Sequence, residues 1–194
     1  MGRTVYWMNV SLDLFIERDV GEEGGGAWMS IGEQVHRDFN LRTEHLALMI
    51  EGRTSYEIME RFWPAAADDE AQPEHMREYG RIWTTKPKVL VSNSRASAPH
   101  NTRVVGGARA LDELARIREQ TDGEIAVGGA TLATQLLQHG ILDELLLYYH
   151  PVILGSGRPL FDTLAGPLRC DLLEHGRFDN GVLVSRYAVR ADRA

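Results

Sequence analysis

The stretch that most constrains this chain runs from Glu124 to Gly140. Glu124-Ile125-Ala126-Val127 has the apolar, β-branched character of a buried strand. Gly128-Gly129 makes a turn, and Ala130 to His139 reads as a helix that Gly140 ends. A strand that passes at once into a helix implies a crossover, and crossovers build parallel sheets with helices on their faces. The rest of the chain repeats that grammar. Thr4 to Val10, Leu46 to Ile50, Lys88 to Ser92 and Arg103 to Val105 read as strands. Ser30 to Leu41 reads as a helix, with Ser30 as its cap and Glu33 three residues on. A second helix is predicted from Thr54 to Arg61, stopping before Trp63-Pro64 because proline disfavours helical geometry in the residue ahead of it. Pro73 to Ile82 and the amphipathic Ala108 to Gln120, with Leu111, Leu114, Ala115 and Ile117 on one side, complete the helical set.

The final third changes character. Asp143 to Ile153, Cys170 to Phe178 and Val182 to Val189 read as strands, and Asp179-Asn180-Gly181 as a tight hairpin turn between the last two. The expected fold is therefore α/β: a central, mostly parallel mixed sheet flanked by helices, with an antiparallel C-terminal hairpin at one edge. Gly21 to Gly26 is expected to be a flexible loop. No linker divides the 194 residues, so residues 1–194 are read as one domain.

Composition narrows the function. A net charge of -7 speaks against a general nucleic-acid binder, yet it permits a phosphorylated cofactor held by a local cluster of donors. Cys170 is the one cysteine, which excludes an intrachain disulfide and a multi-thiolate zinc site. The seven histidines make no ligand spacing beyond weak pairs such as His75 with Glu78, so no metal is expected. Asn9 interrupts the N-terminal apolar run, and no run of ~18 apolar residues follows, so neither a signal peptide nor a membrane span is expected. The expected location is the cytoplasm.

Three constellations bear on chemistry. Val127-Gly128-Gly129-Ala130-Thr131-Leu132 aims backbone N–H groups and a helix dipole at one spot, which suits a pyrophosphate; the plain alternative is a tight turn that needs small residues. It lacks the third glycine of a Rossmann fingerprint and the lysine of a Walker loop. Gly52-Arg53-Thr54 places a guanidinium and a hydroxyl where a strand gives way to a helix. Ser92-Asn93-Ser94-Arg95 follows the strand from Lys88 and can take a second phosphate, such as the 2′-phosphate of NADPH. Each of the last two has a solvated loop as its plain alternative. Their joint placement is what counts, since ligands of open α/β sheets bind beyond the C-terminal ends of parallel strands.

Asn9-Val10-Ser11-Leu12-Asp13, Gly52-Arg53-Thr54-Ser55-Tyr56-Glu57, Val89-Leu90-Val91-Ser92 and Gly128 to Leu132 occur in that order. Asp143-Glu144-Leu145 and Pro151-Val152-Ile153-Leu154-Gly155-Ser156-Gly157 follow them. The series resembles the dihydrofolate-reductase-like superfamily, and more narrowly the reductase domain at the C-terminus of bifunctional riboflavin-biosynthesis proteins, over residues 4 to 189. The resemblance implies NADPH as hydride donor. It puts Gly52, Arg53, Thr54 and Ser92 (with Arg95 beside it) on the adenosine-side phosphates, and Gly128, Gly129, Ala130, Thr131 and Leu132 on the pyrophosphate. The first strand and its loop would flank nicotinamide and substrate, nominating Asp13, Phe15 and Ile16. Trp28, beside the glycine loop, is the aromatic best placed to stack on a flat ring. A homodimer built through the late strands, around Asp143 to Leu154, is also implied.

Two departures stand out. Relatives usually carry glycine after Ser-Leu-Asp where this chain has Leu14, expected to narrow or reshape the nicotinamide–substrate cleft. Dihydrofolate reductases use a carboxylate on the first helix; here Glu33, Asp38 and His36 are on offer, and spacing selects none. The single cysteine also rules out the deaminase zinc signature. The expectation is an NADPH-dependent reductase of a small planar pterin- or pyrimidine-like substrate, with Asp13, Glu33 or an ordered water as proton source. The alternative is a binding protein that keeps the fold without turnover.

Overall fold

The structure, a computed structural model, describes residues 1–18 and 26–190. The glycine stretch beginning at Gly21 falls, except for Gly26, outside the described residues. The chain opens with β1 (Arg3–Val10), a short β2 (Phe15–Glu17), α1 (Glu33–His45) and β3 (Leu48–Gly52). It continues through α2 (Arg53–Asp68), α3 (Glu74–Thr85), β4 (Lys88–Val91), β5 (Thr102–Val105) and α4 (Ala110–Gln120). Next come β6 (Glu124–Gly128), α5 (Ala130–Gln138), β7 (Glu144–Tyr149) and a two-residue β8 (Arg158–Pro159). The hairpin of β9 (Cys170–Arg177) and β10 (Leu183–Val189) closes the described chain.

Eight strands form one sheet in the order β5-β4-β3-β6-β1-β7-β10-β9. Pairing is parallel from β5 to β7 and antiparallel from β7 through β10 to β9. This is the mostly parallel mixed sheet with an antiparallel C-terminal hairpin that the sequence predicts. The hairpin turn falls where expected: the Gly181 N–H donates to the Phe178 carbonyl at 3.0 Å, with Gly181 at φ 85. β2 and β8 form a separate antiparallel pair that the sequence reading did not foresee.

Side-chain alternation builds the two faces. Val5 packs with Val35, Phe39, Met49, Tyr56, Tyr79 and Trp83, under α1, α2 and α3. Its neighbour Tyr6 packs on the opposite face with Leu114, Leu132, Leu136 and Leu137, from α4 and α5. Ile125, Val127 and Leu136 have almost no exposure, and burying a side chain of that size contributes roughly 1.5–3 kcal/mol.

Three local expectations are corrected. α1 begins at Glu33 with Gly32 as its N-cap and no side-chain cap; Ser30 instead donates its N–H to His150. α2 does not stop before Pro64 but runs to Asp68, with the proline inside it. The missing N–H costs one helical bond, but the turn is clamped by α3: a Cβ on Gly80 would lie 2.6 Å from the Trp63 carbonyl oxygen and 2.8 Å from the Ala67 nitrogen. Helix–helix packing at backbone contact outweighs the local penalty. β7 ends at Tyr149 rather than at Ile153, because Pro151 cannot donate to a ladder.

Candidate functional site

Register brings the three motifs onto one edge. Gly52 of β3 lies opposite Val91 of β4, and Glu51 of β3 lies opposite Gly128 of β6. Gly52-Arg53-Thr54, Ser92 to Arg95 and Gly128 to Leu132 thus follow neighbouring strand ends. Gly52 caps α2 and Gly129 caps α5, and neither helix has a side-chain cap hydrogen bond. The first-turn N–H groups of both helices are therefore left for an external acceptor. Gly129 sits at φ 105, a conformation that L side chains rarely adopt. A Cβ on it would fall 3.1 Å from Ser55 Oγ and 3.8 Å from the Gly52 nitrogen, so the two helix starts converge through glycine.

The side chains of the motifs divide the work. Val127, Ala130 and Leu132 are buried core positions that offer the edge only their backbone. Thr54 and Arg53 are exposed at the start of α2. Ser92 is buried, and its hydroxyl accepts the N–H groups of Ser94 and Arg95 at 3.2 and 3.3 Å, closing its own turn. Both arginines have carboxylate partners on α2: Arg53 meets Glu57 at 2.9 Å, and Arg95 makes a bidentate pair with Glu60 at 2.7 and 3.1 Å. Thr131 Oγ1 accepts from Arg158 at 2.7 Å, and Arg158 also pairs with Asp162 at 2.6 Å. Sequence reasoning missed Arg158, which is 27 residues from Thr131; its signal was its place directly after the Pro151 to Gly157 motif.

Beneath the edge lies Glu51, about 5% exposed, with Oε2 lacking a hydrogen-bond partner among the described residues. Burial pushes its carboxyl up to about 7, against the opposing pull of the Lys88 ammonium. Lys88 is itself buried, donates to the carbonyls of Trp83 and Lys86, and is lowered to about 8 by burial.

The residues nominated for the substrate face do not share one place. Asp13 Oδ1 accepts from Ser11 Oγ at 2.7 Å, and its carboxylate takes the N–H groups of Leu154 and Gly155 at 3.1 and 2.7 Å. The Ser11 hydroxyl leads the causes that hold Asp13 down at about 2, so it is ionised at neutral pH. Leu14 has φ 62, a conformation that favours glycine. Together with Phe15 it lines an apolar cavity of about 430 Å³ against Leu145, Leu147 and Tyr187. That cavity lies on the α4–α5 face of the sheet. Ile16 is half-buried in β2 and packs on the same core.

Trp28 is on the other face. Its ring stands edge-on to His150, centroids 5.5 Å apart. His150 is fully buried at the end of β7; Nδ1 accepts the Ser30 N–H at 2.9 Å, which leaves Nε2–H to donate to Asn9 Oδ1 at 2.9 Å. Burial lowers its imidazole to about 4, so it is neutral. Among seven scattered histidines, nothing in the sequence marks this one.

The acids of α1 are engaged. Glu33 is exposed, pairs with Arg37 at 2.8 Å, and is held below the usual carboxylate range by that arginine. Asp38 accepts from Arg42 at 2.8 Å and from the Tyr148 hydroxyl. His36 is buried against Asn40, and burial lowers its imidazole.

This arrangement is the fold of the dihydrofolate-reductase-like proteins. Dihydrofolate reductase from Enterococcus faecalis, in complex with NADP(H), matches with a TM-score of 0.62 at 13% identity, over 97% of this chain and 96% of that one. RibD from Acinetobacter baumannii matches with a TM-score of 0.68 at 18% identity, over 98% of this chain and 58% of that longer one. Residues 5–184 match the RibD C-terminal domain, and the chain belongs to that family. Among individual sequences, the uncharacterized protein YyaP of Bacillus subtilis (strain 168) is 25% identical over 182 residues, 93% of this chain and 92% of that protein. The family and its structural relatives define a reductase-like fold. Among the described residues, no helix is long and apolar enough to cross a membrane.

Proposed function

We propose that this chain is an NADPH-dependent reductase acting on a small planar heterocycle of pterin or pyrimidine type. One observation carries the reading: two helix N-termini without side-chain caps, those of α2 and α5, converge through Gly52, Gly128 and Gly129 at the C-terminal edge of the sheet. Oriented N–H groups and two dipoles suit a pyrophosphate, and the missing Cβ atoms leave it room. When bound, NADPH supplies the hydride. Gly128 to Leu132 hold the pyrophosphate, and Gly52, Arg53, Thr54 and the Ser92 to Arg95 turn hold the adenosine-side phosphates. Arg158, already hydrogen-bonded to Thr131 and paired with Asp162, adds a guanidinium donor at the start of α5. Ile16 flanks the nicotinamide, and Trp28, fixed by His150, faces the substrate ring.

Orientation supplies most of the rate. Asp13 and Glu33 are both held low, which suits anions better than acids near neutral pH, so the proton is assigned to an ordered water. Asp13 acts instead as the anchor of the loop at Leu154 and Gly155. The same engagement of the acids favours the second reading, a dinucleotide-binding protein without turnover. A homodimer is supported by the apolar cavity at β7 and β10 and by Leu172 and Leu183, each about half exposed on that end of the sheet.

The test is oxidation of NADPH by the purified protein against a panel of pterins, pyrimidine ribitol phosphates and flavins. The reading expects one acceptor class to drive oxidation and Gly129→Ala to abolish it. Binding without oxidation by any acceptor leaves the second reading; no binding refutes both.

A further inference from the structure

The two arginines at the adenosine side already carry carboxylate partners, with which a phosphate would compete. α2 carries Arg53, Glu57 and Glu60 at i, i+4 and i+7, on one helical face. The turn after β4 delivers Arg95 to that face. Arg53 Nη1 meets Glu57 Oε2 at 2.9 Å, and Arg95 clamps Glu60 with both terminal nitrogens, at 2.7 and 3.1 Å. The Arg95 guanidinium also lies over the Tyr56 ring, 5.4 Å from its centroid. Tyr56 is itself fully buried, its hydroxyl donating to the Pro99 carbonyl at 2.9 Å.

Only about a quarter of the Arg95 side chain and a fifth of Glu60 reach solvent. The pair is therefore partly desolvated and screened less than a surface bridge. Arg95 in turn holds the Glu60 carboxyl below the usual carboxylate range, so it is anionic across the neutral range. Two cations and two anions leave the patch with no net charge. A bidentate carboxylate occupies the same planar fork that a phosphate monoester would use.

We infer that Glu60 is a specificity-determining residue: its carboxylate holds the guanidinium of Arg95 that the 2′-phosphate of NADPH needs, and so sets the preference between NADPH and NADH. Glu57 plays the same part toward Arg53, more weakly because that pair is more exposed. The inference rests on the proposed dinucleotide groove. It concerns the phosphomonoester alone, since the pyrophosphate meets the helix starts and not these arginines. Removing the Glu60 charge frees a preorganised guanidinium and removes an anion from beside the incoming phosphate; both effects favour NADPH and neither touches NADH.

Glu60→Gln and Glu57→Gln, each checked for folding by thermal melting, are titrated with NADPH and with NADH by fluorescence. Adenosine 2′,5′-bisphosphate and AMP serve as competitors. The expected result is that Glu60→Gln tightens NADPH and the bisphosphate about tenfold, and Glu57→Gln about threefold, with NADH and AMP changed less than about twofold. A purely structural bridge would lower the melting temperature and leave the NADPH-to-NADH ratio unmoved. That unmoved ratio in both variants, with NADPH still bound by the unaltered protein, overturns the inference while the reductase reading stands. If the unaltered protein binds neither dinucleotide, the reading itself has failed and the inference goes with it. Glu57→Gln, on an exposed pair, keeps the test decisive should Glu60→Gln not fold.

Discussion

Replacing Glu51 by glutamine isolates the buried carboxyl beneath the proposed groove. Lys88 from β4, Tyr56 from α2, and Tyr79 and Trp83 from α3 face it. Burial raises the carboxyl from its ordinary 4.5 to about 7, after the attraction of Lys88 has been offset. At ~1.4 kcal/mol per tenfold, that displacement is worth about 3 kcal/mol. Its sign follows from proton linkage. Between pH 4.5 and about 7 the folded state holds a proton that the unfolded state has released, so stability falls as pH rises through this window. Below it both states are protonated and the cost vanishes; above it both are ionised and the cost is complete. Glu51→Gln should therefore match the unaltered protein near pH 4.5 and exceed it by up to about 3 kcal/mol near pH 8. Urea unfolding at a series of pH values, with unchanged m-values, measures this directly. A stability difference that stays flat with pH, or a variant less stable at pH 8, would refute the reasoning and show that Lys88 compensates the charge fully.

Gly129→Ala forces a Cβ onto φ 105 and toward Ser55 Oγ; it should cost about 1–3 kcal/mol and remove NADPH binding, as calorimetry and melting would show. Gly80→Ala drives a methyl into the backbone of Trp63 and Ala67 and should cost about 3 kcal/mol, a drop of roughly 6–12 °C in Tm, without changing the chemistry of the groove. Arg53→Ala should weaken NADPH far more than NADH and leave stability nearly unchanged, because the bridge it breaks is an exposed i,i+4 pair. Asp13→Asn should lower any reductase activity by loosening the loop at Leu154 and Gly155, yet leave the pH–rate profile unshifted between pH 5 and 8. A carboxyl held near 2 does not titrate in that range, and a displaced profile would restore Asp13 as the proton donor.

Much of the fold was legible because its signals are local. The Val127-Gly128-Gly129-Ala130 turn, the Asp179-Asn180-Gly181 hairpin and the alternation of strands with helices each reside in a few consecutive residues. The shared edge of Gly52, Ser92 and Gly128 was legible for a second reason, since parallel strands put their C-terminal ends together. What escaped depends on contacts between distant segments. Pro64 stays helical because Gly80 lets α3 approach α2. Leu14 lines one cavity with Leu145 and Tyr187, far along the chain. Arg95 reads as a free phosphate ligand until Glu60, 35 residues away, is found in its fork. Asp13, a plausible acid by motif, is fixed as an anion by Ser11 and by a loop more than 140 residues further on.

The proposed function turns on dinucleotide phosphates resting on the converging starts of α2 and α5. A crystal structure with NADPH tests it most directly. Pyrophosphate oxygens are expected within about 3 Å of the N–H groups that open α5 after Gly129, and the 2′-phosphate beside Arg53 and Arg95. A cofactor bound away from Gly52 and Gly129, or an empty strand edge in crystals saturated with NADPH, would contradict it.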